Sequence, residues 1–414
     1  MIEIRRKQDC CGCTACEQVC GRKAITMQPD GKGFMYPVVD KNICNDCNLC
    51  IRTCPIINEG TKRTPNHTYA VKNKNIETRL NSSSGGVFSI FAKETISRGG
   101  IVFGATFDDN WRVVHTSVNK FEDIHKFQGS KYVQSEIRGI YAEVKKLLRD
   151  NKIVLFSGTP CQVGGLLSFL GKKYENLTTI DFVCHGVPNP RIWDDYLKEK
   201  TTAHRAVAGK STVSSSLNPM SSIRDIRFRD KSNGWKKFRF VLELAEASAE
   251  GKESSVLSSI NEYCWDNDFM SLFLNDYINR PSCFECHFRN GKSGSDYTMA
   301  DFWCIENFYE DFFDDNGVSM LLSYNEEIPQ YIKTQTENIK TKFEEACYGN
   351  RCIRTDWPYK RITEIFYLFH DTFGLNIHKS LVLTSFLEKK KDEYKLWYQN
   401  IKGKLRRIRQ KLAF

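Results

Sequence analysis

Two runs of cysteine near the start of the chain carry the sharpest chemistry. Cys10, Cys13, Cys16 and Cys20 stand at C-x2-C-x2-C-x3-C, and Cys44, Cys47, Cys50 and Cys54 repeat that spacing with Pro55 behind them. Three thiolates spaced in this way wrap a tight loop around one polynuclear centre, with backbone N–H groups aimed at its sulfurs. Zinc sites use CxxC pairs separated by a longer spacer, so four cysteines in so short a run point to iron–sulfur ligation. Gly21 stands where the second run has its proline, and Cys11 is an extra thiol read as a non-ligand.

The spacing is that of the bacterial two-cluster ferredoxins, in which the fourth cysteine of each run serves the other cluster. One [4Fe–4S] cluster is expected on Cys10, Cys13, Cys16 and Cys54, and a second on Cys44, Cys47, Cys50 and Cys20.

Further along, "RPSCFECHF" supplies Cys283 and Cys286. Cys161, in "SGTPCQVGG", follows the strand-like "KIVLF", and Cys184 follows the strand-like "LTTIDFV". In a parallel sheet such strand ends gather along one edge, where α/β sites form. Thr159 and Pro160 read as the N-cap and first residue of a helix, which puts Cys161 where the helix dipole favours a thiolate. Three readings of Cys161 stand: a nucleophile, a buried structural thiol, or a ligand of a third metal site with Cys184, Cys283 and Cys286. Four thiolates suit zinc as well as a [4Fe–4S] cluster.

The elements that must position these residues alternate. "TYAVKN" reads as a strand, "GGVFSIFAKETIS" as a helix, and "GIVFGATF" and "WRVVHTSV" as paired strands. Ile137, Ile140, Tyr141, Val144, Leu147 and Leu148 recur at helical spacing. The βαβ rhythm predicts an α/β body following a smaller N-terminal domain, an α+β or α/β chain as a whole. The expected divisions are 1–60 for the cluster domain, 61–68 for a polar linker, 69–385 for the body and 386–414 for a basic helix. The small polar stretches near 201–222 and 246–259 read as surface loops.

Seven segments in order, "NSSSGG" (81–86), "FQGSKYVQS" (127–135), "SGTPCQVGGL" (157–166), "DFVCHGVPNP" (181–190), "RFRDKSNGW" (227–235), "RPSCFECHF" (280–288) and "SDYTMADFW" (295–303), carry a resemblance. The chain resembles the beta subunits of deazaflavin (coenzyme F420) hydrogenases and dehydrogenases, here with a fused two-[4Fe–4S] ferredoxin domain. The resemblance implies an FAD-binding α/β domain with its own [4Fe–4S] cluster, and carries the ligand role onto Cys161, Cys184, Cys283 and Cys286. Cys304 is given no role, and Cys264, Cys347 and Cys352 are read as structural.

The flavin is expected along the same edge. Ser82, Ser83, Ser84, Gly85 and Gly86 form a turn opening onto a helix, whose free N–H groups and hydroxyls suit a pyrophosphate; a plain helix cap is the alternative. Lys131 offers a cation to the phosphates or the ring. Ser157, Gly158, Thr159 and Gln162 lie at the strand edge. Asp301 either polarises flavin or substrate or caps a loop, and Phe228 and Trp235 are stacking partners or core. His185 and His287 each follow a proposed ligand, as proton donors or as hydrogen-bond partners of cluster sulfur. Lys131, Asp301 and His185 are the candidate catalytic residues.

The net charge of +10 is uneven: from Leu387 onward ten Lys or Arg face three Asp or Glu. There Trp397, Ile401, Leu405, Ile408 and Leu412 recur at helical spacing, giving a basic amphipathic helix that suits an anionic membrane surface, an acidic partner or simple packing on the body. Nucleic-acid binding is not expected, because no recognisable module supports it. No apolar run approaches the ~18 residues of a membrane span and the start lacks a signal-peptide core, so a cytoplasmic location is expected, peripheral to the inner membrane surface if the tail binds lipid. Of seventeen cysteines in a reducing compartment, most are then metal ligands or redox groups rather than disulfides. The composite expectation is an oxidoreductase that relays electrons from a ferredoxin-type donor or partner redox subunit, through three [4Fe–4S] clusters and FAD, to a small molecule. That substrate would be a deazaflavin or a polysaccharide-pathway intermediate. Two alternatives are an electron-transfer subunit without its own substrate, and a redox-linked binding module with zinc in the body.

Overall fold

The structure, a computed structural model, describes residues 1–207, 219–245, 256–356 and 358–411. It is a mixed α/β arrangement built on one large sheet. Strands β1 (Ile25–Pro29) and β2 (Met35–Val39) pair antiparallel in the N-terminal module, flanked by short helices Ala15–Gln18 and Leu49–Thr53. The body begins with β3 (His67–Asn73). It continues through β4 (Ile101–Phe107), β5 (Val113–Val118), β6 (Val154–Ser157) and β7 (Leu177–Phe182). Strands β8 (Ile223–Asp230), β9 (Arg239–Ala245) and β10 (Val256–Tyr263) form a separate antiparallel sheet. Strands β11 (Tyr297–Asp301), β12 (Ser319–Ser323) and β13 (Thr336–Thr341) return to the large one.

The large sheet runs β13-β3-β12-β11-β7-β6-β4-β5. Strands β11, β7, β6 and β4 are mutually parallel, and the outer pairings are antiparallel. Alternation along the central strands sorts two cores. Val102 and Leu155 face the helix Val87–Ser97, whereas Phe103, Val154 and Phe156 face the helices Ile140–Arg149 and Pro160–Leu170. Cys11, Cys13 and Ala15 of the N-terminal module belong to that second core. Gln18 joins it as a cap, its Oε1 accepting from the backbone N–H of Tyr141 (3.0 Å) and Ala142 (3.2 Å) at the start of Ile140–Arg149. The two modules therefore share buried surface instead of meeting through a free linker.

The elements expected between residues 69 and 182 stand where periodicity placed them. The second sheet is a departure. Residues 201–207 continue the helix Pro190–Val207, residues 219–222 form a 3-10 turn, and residues 256–259 open β10, where surface loops were expected. The remaining parts of those two stretches, 208–218 and 246–255, lie outside the described residues. The sheet closes over an aromatic core in which Trp193, Tyr196, Phe228, Phe240 and Phe269 are all buried. Phe228 and Trp235 are thus core residues.

The basic tail forms part of a longer helix, Ile377–Lys411, that starts ahead of the expected boundary. Its first turns pack on the body: Ser380 and Thr384 are fully buried, and the Ile377 N–H donates to Glu199. Among the described residues no helix is long and apolar enough to cross a membrane.

Trp193 sits at the centre of the second sheet's core, its indole N–H donating to the Trp111 carbonyl (2.8 Å) and its ring edge-on to Phe269 at 4.8 Å. Trp193→Ala is expected to destabilise the chain by about 3–5 kcal/mol, read as a lowered urea midpoint.

Candidate functional site

Both N-terminal runs fold in one way. Two and four residues after the first cysteine the backbone turns left-handed: Gly12 (φ 71°) and Thr14 (φ 65°) in the first run, Asp46 (φ 52°) and Asn48 (φ 59°) in the second. Thr14 and Asn48 then cap the short helices that carry Cys16 and Cys50. A β-branched residue rarely takes this conformation; Thr14 is held there with its Oγ1 accepting from the Gln18 amide (2.7 Å). The repeated backbone curls each loop around its own thiols. N–H groups also point at sulfur, from Ile2 to Cys50 and from Ala24 to Cys20, both at 3.3 Å.

Cys13, Cys16, Cys50 and Cys54 are buried, Cys10, Cys20 and Cys44 are half-buried, and Cys47 is exposed. Burial pushes the Cys16 thiol far up, and the neighbouring Cys10, Cys54 and Cys50 add to that. Burial likewise raises Cys54, with Cys10 and Cys50 again beside it. Cys20 joins Cys16, Cys50 and Cys54 in one apolar cluster. Cys44 and Cys47 share the outer loop, with Cys44 Sγ 3.9 Å from Asp46 Oδ1.

The second concentration of thiols lies where the parallel strands end. Cys161 follows β6 in the first turn of Pro160–Leu170. Thr159 and Gln162 form a reciprocal capping box there, the Thr159 N–H donating to Gln162 Oε1 (3.0 Å) and the Gln162 N–H to Thr159 Oγ1 (3.4 Å). Cys184 follows β7. Cys283 closes the 3-10 turn Pro281–Cys283, and Cys286 comes in the next turn. All four line one cavity of about 70 Å³. Burial raises Cys184, Cys283 (to about 12) and Cys286 (to about 11), and in each the other cysteines of the group act in the same direction. Cys161 is also raised, by a hydrogen bond with Cys11 first and burial second. Both act against the thiolate that the helix N-terminus was expected to favour. Among the described residues no three His, Cys, Asp or Glu groups stand close enough for a single metal ion. An all-thiol donor set around a shared cavity fits an iron–sulfur cluster in its chemistry.

Four residues of this cavity carried no role in the sequence reading. Cys11 and Cys352, a supposed non-ligand and a supposed structural thiol, both line it, as do Arg280 and Arg289. Arg289 donates to the Cys352 carbonyl (2.6 Å) and the Cys283 carbonyl (3.3 Å). The two arginines flank the CxxC in the sequence, a signal of cations beside thiolates. His185 stacks edge-on to Phe273 and sits 3.0 Å from Asp276. Burial lowers its pKa, but Asp276 and Cys352 reverse this and bring it up to about 9. His287 lies 3.5 Å from Glu59.

The expected flavin residues form a second, connected group. Ser82 donates to Thr78 O (2.7 Å) and Ser84 to Val318 O (2.9 Å), while Ser130 Oγ donates to Ser83 Oγ (2.8 Å). Gly85 has no room for a side chain, because a Cβ would lie 2.3 Å from the Val71 carbonyl. Gly86, at φ 78°, caps Val87–Ser97. Lys231 ties the turn to its surroundings, donating to the carbonyls of Arg79, Ser84 and Asn316.

Ser157 donates to Phe103 O (3.2 Å), and Gln162 Nε2 to Ser135 Oγ (2.8 Å). Gly158 packs against the Gln162 side chain. Asp301 accepts from the Arg229 guanidinium and from the Trp235 indole N–H (2.7 Å), and Trp235 stacks on Trp303 at 4.8 Å. Arg229 Nε and Nη2 are buried without hydrogen-bond partners. Lys131 donates to the carbonyls of Gln128 (3.0 Å) and Gly129 (3.3 Å). A buried guanidinium with a single carboxylate beside it and a lysine whose hydrogen bonds go to carbonyls fit an anionic cofactor such as FAD.

Residues 151–347 match the family model for the carboxy-terminal part of the coenzyme F420 hydrogenase/dehydrogenase beta subunit. That segment belongs to this family. It contains Cys161, Cys184, Cys283, Cys286 and Asp301; the N-terminal runs, the Ser82–Gly86 turn and Lys131 precede it. A chain of the xenon-derivatised F420-reducing [NiFe] hydrogenase complex from Methanosarcina barkeri is similar over 77% of this chain and 95% of its own, at 14% identity and a TM-score of 0.41. No curated protein matches the chain.

Burial takes the Lys131 ammonium from 10.5 down to about 8. Between those values the unfolded chain binds the proton and the folded one does not, so stability should rise with pH from about 8 to 10.5. Lys131→Met is expected to remove that rise, and to be more stable than wild type below pH 8, measured by urea unfolding at stepped pH.

Proposed function

We propose that the chain is an iron–sulfur flavoprotein oxidoreductase. It takes electrons from a ferredoxin-type donor through two N-terminal [4Fe–4S] clusters and a third in the body to FAD, and on to a small-molecule substrate. Bound there, the clusters supply one-electron transfer and the flavin couples single electrons to a two-electron reduction. The observation that carries the reading is the convergence of Cys161, Cys184, Cys283 and Cys286, from three separate stretches of chain, on one cavity beside the N-terminal loops.

In this reading Cys10, Cys13, Cys16 and Cys54 hold the inner N-terminal cluster, and Cys20, Cys44, Cys47 and Cys50 the outer one. The exposed Cys47 marks the side a donor protein would approach. Ser82, Ser83, Ser84, Gly85 and Gly86 cradle the FAD pyrophosphate. Lys131 and the open Arg229 donors supply its counter-charge, with Ser157, Gly158, Thr159 and Gln162 shaping the neighbouring wall. His185, charged by Asp276, holds a proton near the cluster edge. A deazaflavin or a polysaccharide-pathway intermediate is the substrate class proposed. Exposed Val382, Leu383, Phe386 and Leu387, next to Lys389, Lys390 and Lys391, support contact with an anionic membrane surface from a cytoplasmic location.

A second reading is an electron-transfer subunit serving a partner enzyme. The observation favouring it is that Asp301, the acid assigned to the substrate, is already engaged by Arg229 and Trp235. Substrate turnover only with a partner present would decide for it.

Anaerobic purification with iron, zinc and flavin quantification tests the main reading: about 12 irons and one FAD per chain are expected. Cys161→Ser should lose roughly a third of the iron and keep the N-terminal cluster signals. One zinc with about eight irons would instead place zinc in the body, and a colourless protein would end the reading.

A further inference from the structure

We propose that the Cys10–Cys13–Cys16–Cys54 centre passes electrons directly to the Cys161–Cys184–Cys283–Cys286 centre, and that Arg280 is the positioning residue that fixes and tunes the pair. The inference rests on reading both cysteine sets as cluster ligands.

Close approach is built into the helix that carries Cys161. One turn beyond it, a Cβ at Gly165 would fall 2.8 Å from Cys13 Cβ and 3.1 Å from its Sγ, so any side chain there would push the two centres apart. Glycine inside a helix costs about 1 kcal/mol relative to alanine, and this contact is the compensating packing. Cys11, 6% exposed, fills the space between, its thiol hydrogen-bonded with both Cys13 and Cys161.

Arg280 grips both sides. Its backbone carbonyl accepts from the N–H of Cys283 (2.9 Å), a ligand of the body centre. Its guanidinium donates to the Cys10 carbonyl (2.9 Å), the Met35 carbonyl (2.8 Å) and Gln134 Oε1 (3.0 Å), and stands 3.8 Å from Cys10 Sγ. The Gln134 amide donates in turn to the Cys11 carbonyl (3.0 Å). Gly12 makes room for this, since a Cβ there would lie 2.8 Å from the guanidinium. Arg280 is 1% exposed, and none of these partners is a carboxylate. A buried cation without a carboxylate is costly unless negative charge lies nearby. Clusters held by the two cysteine sets would supply it, and the cation would in return favour their reduced state.

The step balances as a single electron. With clusters on both cysteine sets, one electron would leave the reduced inner centre, taking it from [4Fe–4S]1+ to 2+, and the body centre would gain it, going from 2+ to 1+. No bond breaks and no proton moves. A low-potential one-electron donor, dithionite in the test, restores the inner centre.

The experiment is anaerobic potentiometry with EPR on the full chain, with iron and flavin counted first. At unchanged iron, Arg280→Gln should move the midpoints of the inner and body centres to more negative values and leave the Cys20–Cys44–Cys47–Cys50 centre in place. Arg280→Lys, which keeps the charge, should restore much of the shift. Gly165→Ala, at unchanged iron, should slow flavin reduction by dithionite at least tenfold and weaken the magnetic interaction between the two reduced centres. Full iron with three unmoved midpoints, or no magnetic interaction in the wild type, overturns this inference alone. A wild-type chain lacking iron overturns it together with the proposed function.

Discussion

Thiols gathered in a water-poor space resist ionisation, and the architecture of this chain is organised around that resistance. Cys16, Cys54, Cys161, Cys184, Cys283 and Cys286 are all pushed upward by enclosure and by neighbouring cysteines. Left alone, such groups would remain protonated and pack as small hydrophobes. What the fold adds is cationic and dipolar compensation. Two arginines are buried beside the cavity, N–H groups are aimed at Cys20 and Cys50, and two left-handed turns curl amides inward. Metal ions would complete the neutralisation, and the same environment that makes free thiolates expensive makes ligated ones cohesive.

The sheet gives that chemistry its position. The parallel run β4-β6-β7-β11 delivers Cys161 and Cys184 to one edge, and the turn at Pro281–Cys283 brings the remaining pair from a distant part of the sequence. The N-terminal module then packs on the helix Pro160–Leu170 at Gly165, while the CxxC segment packs on it at Gly164. Phe288 occupies the room left at Gly164 and Cys13 that at Gly165. One helix face thus touches both the N-terminal thiols and the CxxC segment.

How much of this could be read beforehand depended on whether the signal was local. The strands from β3 to β7 were legible because burial alternates with the pleat and their helices show a 3.6-residue period. The likeness of the two cysteine runs was legible because equal spacing is a local signal, and both runs do share one backbone course, with left-handed residues two and four places after the first cysteine. The sheet β8–β10 was not, since its strands are joined through aperiodic polar stretches and its aromatic core draws on Trp193 and Phe269 from outside the sheet. Cys11, Cys352 and Arg280 were missed for a related reason. Each meets its partners from distant parts of the chain, and the one local signal, an arginine three residues before Cys283, does not say which thiols it will face. The boundary of the C-terminal helix was misplaced because composition changes at Leu387 while the backbone does not.

Asp301 illustrates how a motif residue can serve the site without touching what is bound there. Its carboxylate is held by Arg229 and Trp235, and Trp235 in turn stacks on Trp303. The ion pair spends only one edge of the guanidinium, whose Nε and Nη2 remain buried and open. Phe238 and Trp303 lie 4.4 and 5.2 Å from the guanidinium, restricting how it can turn. An arginine fixed in this way has little conformational entropy left to lose when an anion arrives, so its donors bind more strongly than those of a free side chain. Asp301 therefore fixes the direction in which Arg229 points, and with its carboxylate engaged by Arg229 and Trp235 it is a positioning group in this structure.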